Sequence, residues 1–297
     1  MVAFCRSCCA IWPKVADFSN KPLNNHSPQR EWLLISRCGM NNTMLNKSRP
    51  SRRSALILGT STALFLSTAS HLSLAGDTQP VIVELFTSQG CSSCPPADKL
   101  LGELASQPNV IPLTFNVDYW DYLGWRDTLG SHKYTKRQQQ YAANRGTRQV
   151  YTPQMVINGH LDVVGSRRNK VLAAVNSEQT AKARVPMTIS ETGDEITIKV
   201  ADSPSNRLTQ KATVWVLVTS AKVSIPIERG ENRGKKITYY NVVRQMVPAG
   251  MWDGKAIEIT LPKDGLDMEQ GRDCVALLQQ GHVGKIIGAV RMSAKKI

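Results

Sequence analysis

Cys91 and Cys94, separated by Ser92 and Ser93, are the residues whose type and spacing point most directly to chemistry. Oxidation of such a pair closes a small ring, better suited to cycling than to bracing a fold. An apolar, β-branched run precedes them, Val81-Ile82-Val83-Glu84-Leu85-Phe86, and a helical pattern follows. A pair at a strand-to-helix junction meets the positive end of the helix dipole and the unpaired N–H groups of the first turn. Both favour thiolate over thiol, and thiolate is the species that attacks disulfides. The same pair also reads as a permanent disulfide, or as half of a zinc site with His160 as the nearby candidate ligand.

The surrounding elements follow from periodicity. Residues 80–87 read as a buried strand broken only by Glu84. Residues 95–106 read as a helix with Leu100, Leu101 and Leu104 on its apolar face and Asp98 and Glu103 off it. Pro95 and Pro96 are tolerated in its first turn, where missing N–H groups cost little. Residues 110–117 form a second strand, which completes a βαβ unit. Four aromatics then fall within residues 118–127: Tyr119, Trp120, Tyr122 and Trp125. This lip reads either as cover for a core or as a binding surface. A helix follows over 131–145. Asn158-Gly159 marks a hairpin, with Thr152-Pro153 at its entry, and 167–179 is a last helix. From 185 onward, short apolar runs alternate with Gly-bearing turns, the pattern of a β-sandwich.

Several residues stand apart. A lone buried carboxylate is costly without a partner or a task, so Glu84 reads either as functional or as paired with a Lys or Arg at the sheet's edge. Cys274 lies in an apolar run and reads as a small buried hydrophobe. The charged turn at 229–236 reads as solvated, with partner docking as the other reading. His132, His160 and His282 are scattered, with no triad spacing.

The formal charge of +14 on 297 residues is misleading, because residues 1–75 carry half of it with nine Lys/Arg against two Asp/Glu. The remainder shows no basic stripe with interleaved aromatics, which argues against nucleic-acid binding. Residues 44–75 read as a signal peptide: Arg52-Arg53, an apolar run, then Ser73-Leu74-Ala75 as a cleavage site. The arginine pair resembles a twin-arginine export signal. The apolar part is shorter than the ~20 residues a membrane span requires, so contact with the membrane is expected only transiently, through this segment. Residues 1–43, with Cys5, Cys8, Cys9 and Cys38, show no periodicity and read as a non-native or disordered upstream extension. Export implies a periplasmic or secreted protein, where disulfides persist.

A Cys-x-x-Cys at a helix start, a Thr152-Pro153 before a hairpin and a closing helix together resemble the thioredoxin-like superfamily. The stretch from Thr152 to Gly159, with Gly165-Ser166 beyond, looks especially like glutaredoxin. More narrowly, residues 84–98, the Val117-Asp118-Tyr119-Trp120 lip and Tyr151-Thr152-Pro153-Gln154-Met155 resemble an exported bacterial domain-of-unknown-function family with a thioredoxin-like core. The fold this implies is an α/β thioredoxin-like domain (β-α-β-α-β-β-α) over 79–180, followed by an all-β sandwich-like domain over 184–297. The resemblance implies a cis bond before Pro153, packed against the sulfurs, and a Thr152 backbone free to pair with extended substrate. It implies a substrate rim of Tyr151, Thr152, Gly165 and, from the lip, Trp120. It also implies that Glu84 takes the proton of Cys94. Gly90 and Ser92-Ser93 depart from the thioredoxin and glutaredoxin patterns, so redox poise, direction and substrate do not transfer.

The expected function is thiol–disulfide exchange, with Cys91 attacking and Cys94 resolving, on protein thiols and disulfides or glutathione, without a bound cofactor or metal. The alternative is a non-catalytic binding or scaffold protein with a structural disulfide.

Overall fold

The strand Val81–Thr87 (β1) is buried along its whole length, as its unbroken apolar run requires. In the computed structural model, which describes residues 80–180, 184–204, 211–269 and 271–293, it lies deep inside one large sheet. The elements that follow it are the helix Pro95–Leu104 (α1), the strand Val110–Asn116 (β2), the helix His132–Asn144 (α2), the hairpin Gln154–Ile157 (β3) and Leu161–Val164 (β4), and the helix Arg168–Gln179 (α3). Then come Met187–Thr192 (β5), Glu195–Val200 (β6), Ala212–Pro226 (β7), Lys236–Trp252 (β8), Ile257–Pro262 (β9), Arg272–Gln280 (β10) and Ile286–Met292 (β11).

The assembly overturns the expected fold class. A thioredoxin-like α/β domain followed by a separate β-sandwich requires two sheets with a break near residue 180. Instead, β1 to β4 continue into β7, β8, β10 and β11 as one mixed eight-stranded sheet, in the order β11-β10-β7-β8-β2-β1-β3-β4. Among the described residues the protein is mostly β, with eleven strands and three α-helices. All described residues fall within one compact unit.

The seam is β2 against β8, parallel at Thr114 and Val242. Pro112 leaves β2 short of one ladder donor. Side chains reinforce the seam: Asn241 Nδ2 donates to the Pro112 carbonyl at 2.9 Å, and Thr114 Oγ1 donates to the Tyr240 carbonyl at 2.6 Å. Sandwich-like layering does exist, but only in part. The three-stranded sheet β5-β6-β9 covers one face of the β7, β10 and β11 region, with Ile196, Ile198 and Val200 meeting Val214, Val216 and Ala276.

Strand alternation sorts the side chains onto two faces. Val81, Val83 and Leu85 pack under α1 and α3. Ile82 and Phe86 point the other way, into a core that holds Tyr134 and Tyr141 of α2 together with Trp215, Leu217, Val275 and Leu277. That second core runs without interruption from the N-terminal to the C-terminal strands, which is why the described residues do not divide. The hairpin turn is part of this interlock. Gly159 has a positive φ of 72°, and a Cβ there would stand 2.3 Å from the Gly284 carbonyl oxygen. Ile286 N–H donates to the Asn158 carbonyl at 2.9 Å.

The predicted signal peptide (44–75) and upstream extension (1–43) lie outside the described residues. No helix among the described residues is long and apolar enough to cross a membrane.

Candidate functional site

β1 ends in a tight turn, and Cys91 and Cys94 are joined there by a disulfide with their Cα atoms 5.4 Å apart. Cys94 is the N-cap of α1, and Pro95 and Pro96 occupy the first two helical positions. These prolines remove two of the amides that the sequence offered as thiolate donors. The next two, of Ala97 and Asp98, donate to the Cys94 carbonyl at 2.8 and 3.1 Å. The donor that does stand beside the Cys91 sulfur is the Ser93 hydroxyl, 3.4 Å away. Cys91 is 4% exposed and Cys94 0%, so any attack enters at Cys91.

Four of the sequence-predicted residues converge on this turn. Trp120 Nε1 donates to Thr152 Oγ1 at 2.7 Å, and a Cβ on Gly90 would stand 3.2 Å from the Trp120 Cβ. Trp120 therefore spans from the residue before Cys91 to Thr152. The Thr152–Pro153 bond is cis. Gly165 N–H donates to the Pro153 carbonyl at 2.9 Å, and a Cβ at Gly165 would meet the Ala97 Cβ at 3.0 Å. Glycine is what lets the end of β4 sit between Pro153 and α1. Tyr151 turns away from the group and donates through its hydroxyl to Asp162 at 3.0 Å.

Glu84 is not in this group. It is fully buried on the face of β1 that meets α2, opposite the face covered by α1. Arg137 Nε donates to Glu84 Oε1 at 2.8 Å, and the Tyr141 hydroxyl donates to Oε2. The pairing with an arginine matches the second of the two readings of Glu84, but it lies in the middle of the sheet and not at its edge. His160 is likewise engaged elsewhere, with Nε2 3.2 Å from Glu178 Oε1. Among the described residues no three His, Cys, Asp or Glu side chains gather as metal ligands. Cys274 is a free thiol buried in β10, and burial pushes its pKa up to about 12.

Asp98 takes the place vacated by Glu84. It sits four residues after Cys94, so the two side chains neighbour each other on one face of α1. That face is buried against β8. Asp98 is 2% exposed, and a Cβ on Gly102, one turn on, would strike the Tyr240 ring at 2.3 Å. Thr87 Oγ1 donates to Asp98 Oδ1 at 2.8 Å, whereas Oδ2 has no partner among the described residues. Burial pushes the Asp98 pKa up to about 8, with Asp127 adding to the rise and the Thr87 hydroxyl opposing it. Asp127 is itself raised by burial, although it accepts hydrogen bonds from Gln89 N–H (2.8 Å) and Asn116 Nδ2 (3.0 Å). Burial likewise raises Tyr239, as do both carboxyls. Its hydroxyl is also without a partner among the described residues.

The C-terminal strands contribute a second unpredicted residue. Asn232, in the turn between β7 and β8, is fully buried, and its Nδ2 donates to the carbonyls of Gln89 and Cys91 at 2.9 Å each. No local signal announces it, because the contact spans 141 positions of chain. Asp98 did have a signal, its four-residue spacing from Cys94. A separate cleft of about 610 Å³, lined by Tyr134, Trp215 and Arg244 among others, includes none of these residues.

Fold and site together define a mixed-sheet protein with a Cys-x-x-Cys disulfide at a helix start, closed over by a long β-hairpin. The chain belongs to the family described as "Protein of unknown function (DUF1223)", which matches residues 82–279. It is similar to the crystal structure of a protein from Agrobacterium tumefaciens, at 31% identity and a TM-score of 0.65, covering 75% of this chain and 98% of that one. A weaker likeness is to HBP35 of Porphyromonas gingivalis, at 13% identity and a TM-score of 0.49, covering 74% of this chain and 76% of that one. Weaker still is Spo0M, a sporulation control protein of Bacillus subtilis, at 12% identity and a TM-score of 0.24, covering 38% of this chain and 49% of that one. Likenesses at these last two levels say nothing about chemistry. No curated protein matches the chain.

Proposed function

We propose that this protein is an exported thiol–disulfide oxidoreductase, periplasmic or secreted, working on protein thiols and disulfides or on glutathione through Cys91 and Cys94. One observation carries the reading: one helical turn after Cys94 lies a buried carboxyl, Asp98, with one oxygen unbonded and no ion-pair partner among the described residues. A fixed disulfide has no use for such a group, and burying it is costly. An exchanging pair must move a proton at Cys94. The thioredoxin-like resemblance supports this chemistry through the residues around the cysteines and Thr152-Pro153, and not through the fold.

The exchange needs no cofactor. A substrate thiolate attacks the Cys91 sulfur, the Cys91–Cys94 bond breaks, and Cys94 leaves with the electron pair. Asp98, mostly protonated at pH 7 with a pKa of about 8, gives its proton to that sulfur. A second substrate thiolate then attacks the substrate sulfur of the mixed disulfide and releases Cys91 thiolate. Two electrons pass from two substrate thiols to the pair, and the substrate leaves as a disulfide. In reverse, Cys91 thiolate attacks a substrate disulfide and Cys94 resolves the adduct, with the ionised fraction of Asp98 taking its proton.

The 4% exposure of Cys91 favours a second reading, a permanent disulfide in a non-catalytic scaffold. Trapping separates the two. Cys94→Ala leaves a mixed disulfide unresolved, so the exchange reading expects adducts on Cys91 that dithiothreitol releases. Recovery of the variant from the exporting cell with Cys91 unmodified would support the scaffold.

A further inference from the structure

We propose that the tip of the β7–β8 hairpin, residues 227–236, is the substrate-recognition element of the redox centre and selects polypeptide thiols and disulfides with acidic residues beside the reacting cysteine. This inference rests on the exchange reading. It adds the chemical class of the substrate.

The tip is seated on the site at two points. Asn232 spends both amide hydrogens on the carbonyls of Gln89 and Cys91, and its Oδ1 accepts from Lys235 Nζ at 2.9 Å. Gly230, with a positive φ of 74°, rests on the aromatic lip, where a Cβ would stand 3.2 Å from the Trp125 Cβ and 3.3 Å from the Leu123 carbonyl oxygen. Arg233 is therefore the chain neighbour of a residue bonded to the nucleophile's own carbonyl.

The charge of the tip is one-sided. Arg229, Arg233, Lys235 and Lys236 are exposed, against Glu228 and Glu231. Neither Arg229 nor Arg233 forms an ion pair among the described residues. On the lip the acidic groups are already engaged. Asp121 accepts from the Asp127 N–H, and Asp118 accepts from Thr135 and contacts His132. Arg126 adds a further exposed cation. On the lip, Tyr122 is 75% exposed and stacked on Trp120 with ring centroids 6.2 Å apart. The cationic tip and the aromatic lip thus meet at Gly230, and the tip reaches the Cys91 carbonyl through Asn232. Clustered exposed cations raise the local concentration of anionic partners and lose that effect in salt.

The test uses the reduced full chain and two synthetic peptide disulfides that differ only in flanking residues, glutamates in one and lysines in the other. At about 20 mM salt the acidic peptide is expected to oxidise the protein at least about tenfold faster, and at about 500 mM the preference collapses. The double variant Arg229→Glu/Arg233→Glu is expected to reverse the order. Equal rates for the two peptides, or a preference that the double variant leaves in place, would overturn the proposal. Neutral hydroxyethyl disulfide on the unaltered protein reports the exchange reading by itself. Reaction with it but no peptide preference removes only the recognition role. No reaction with any of the three disulfides removes both.

Discussion

Replacing Arg137 with Met is expected to destabilise the protein by about 3–5 kcal/mol, because it strands a carboxylate in the centre of the sheet. Glu84 is fully buried on β1. Arg137 also donates through one terminal nitrogen to the Tyr141 hydroxyl (2.9 Å) and to Gln279 Oε1 (3.0 Å). Gln279 in turn donates to the Tyr141 hydroxyl and the Gly284 carbonyl, each at 2.8 Å. Burial alone would lower the Arg137 pKa, but Glu84 beside it holds the group above its ordinary value and charged. The network ties β1, α2 and β10 together, so its loss loosens the contact between the N-terminal and C-terminal strands. Urea unfolding measures the loss. The double variant Glu84→Met/Arg137→Met is expected to recover most of it, since well-packed apolar groups often replace a buried pair at little net cost. Exchange should survive in that double variant, because Glu84 faces away from α1. Loss of exchange in a folded double variant would return Glu84 to the reaction.

Asp98→Asn is expected to have the larger effect on chemistry and the opposite effect on stability. The Asp98 pKa rises from 3.8 in the unfolded chain to about 8 in the folded protein. Between those values the folded state binds the proton that the unfolded state has lost. The protein therefore becomes less stable as pH climbs from about 4 to about 8, by up to about 1.4 kcal/mol per unit from this group, and the slope ends above the folded pKa. Asparagine cannot titrate, so the variant should show a flatter stability profile across that window and greater stability at its upper end. Its exchange should slow by about a hundredfold at the step that opens or closes the bond to Cys94, as expected for loss of a positioned acid or base. Urea unfolding across pH checks the stability profile, and stopped-flow exchange kinetics checks the chemistry: the limb governed by a group near 8 should vanish in the variant. A purely structural Asp98 would flatten the stability profile and leave that kinetic limb in place.

Short-range features were legible in the sequence and the long-range ones were not. The strand before Cys91, the helix opened by two prolines and the Asn158-Gly159 hairpin each carry their own signal in periodicity or turn chemistry. Asn116 of β2 gives no hint that Thr114, two residues before it, borders a strand more than a hundred positions away. That pairing joined what looked like two domains into one sheet. The same distance hid Asn232, because an asparagine in a charged turn reads as solvated until the turn is seen lying on Cys91. The burial of Asp98 was hidden for a related reason. Leucine spacing defined one apolar face of α1, but a second face is buried as well, under the Tyr240 side of β8, with Gly102 making room. Glu84 stands out in the sequence as an anomaly, and of its two readings the ion pair is the one the structure shows, in mid-sheet and not at the edge. Its distance along the chain from Cys91 says nothing about which face of the strand it occupies, and alternation from Leu85 sends it to the far side.

The reduction potential of the Cys91–Cys94 pair, measured in the folded protein against a glutathione or dithiothreitol couple, reports on the exchange claim more directly than any variant. A pair that cycles with biological thiols should fall between about −120 and −270 mV. A value below about −300 mV would mark a bond that cellular thiols do not open, and Cys91 would then be part of the scaffold and not its reacting centre.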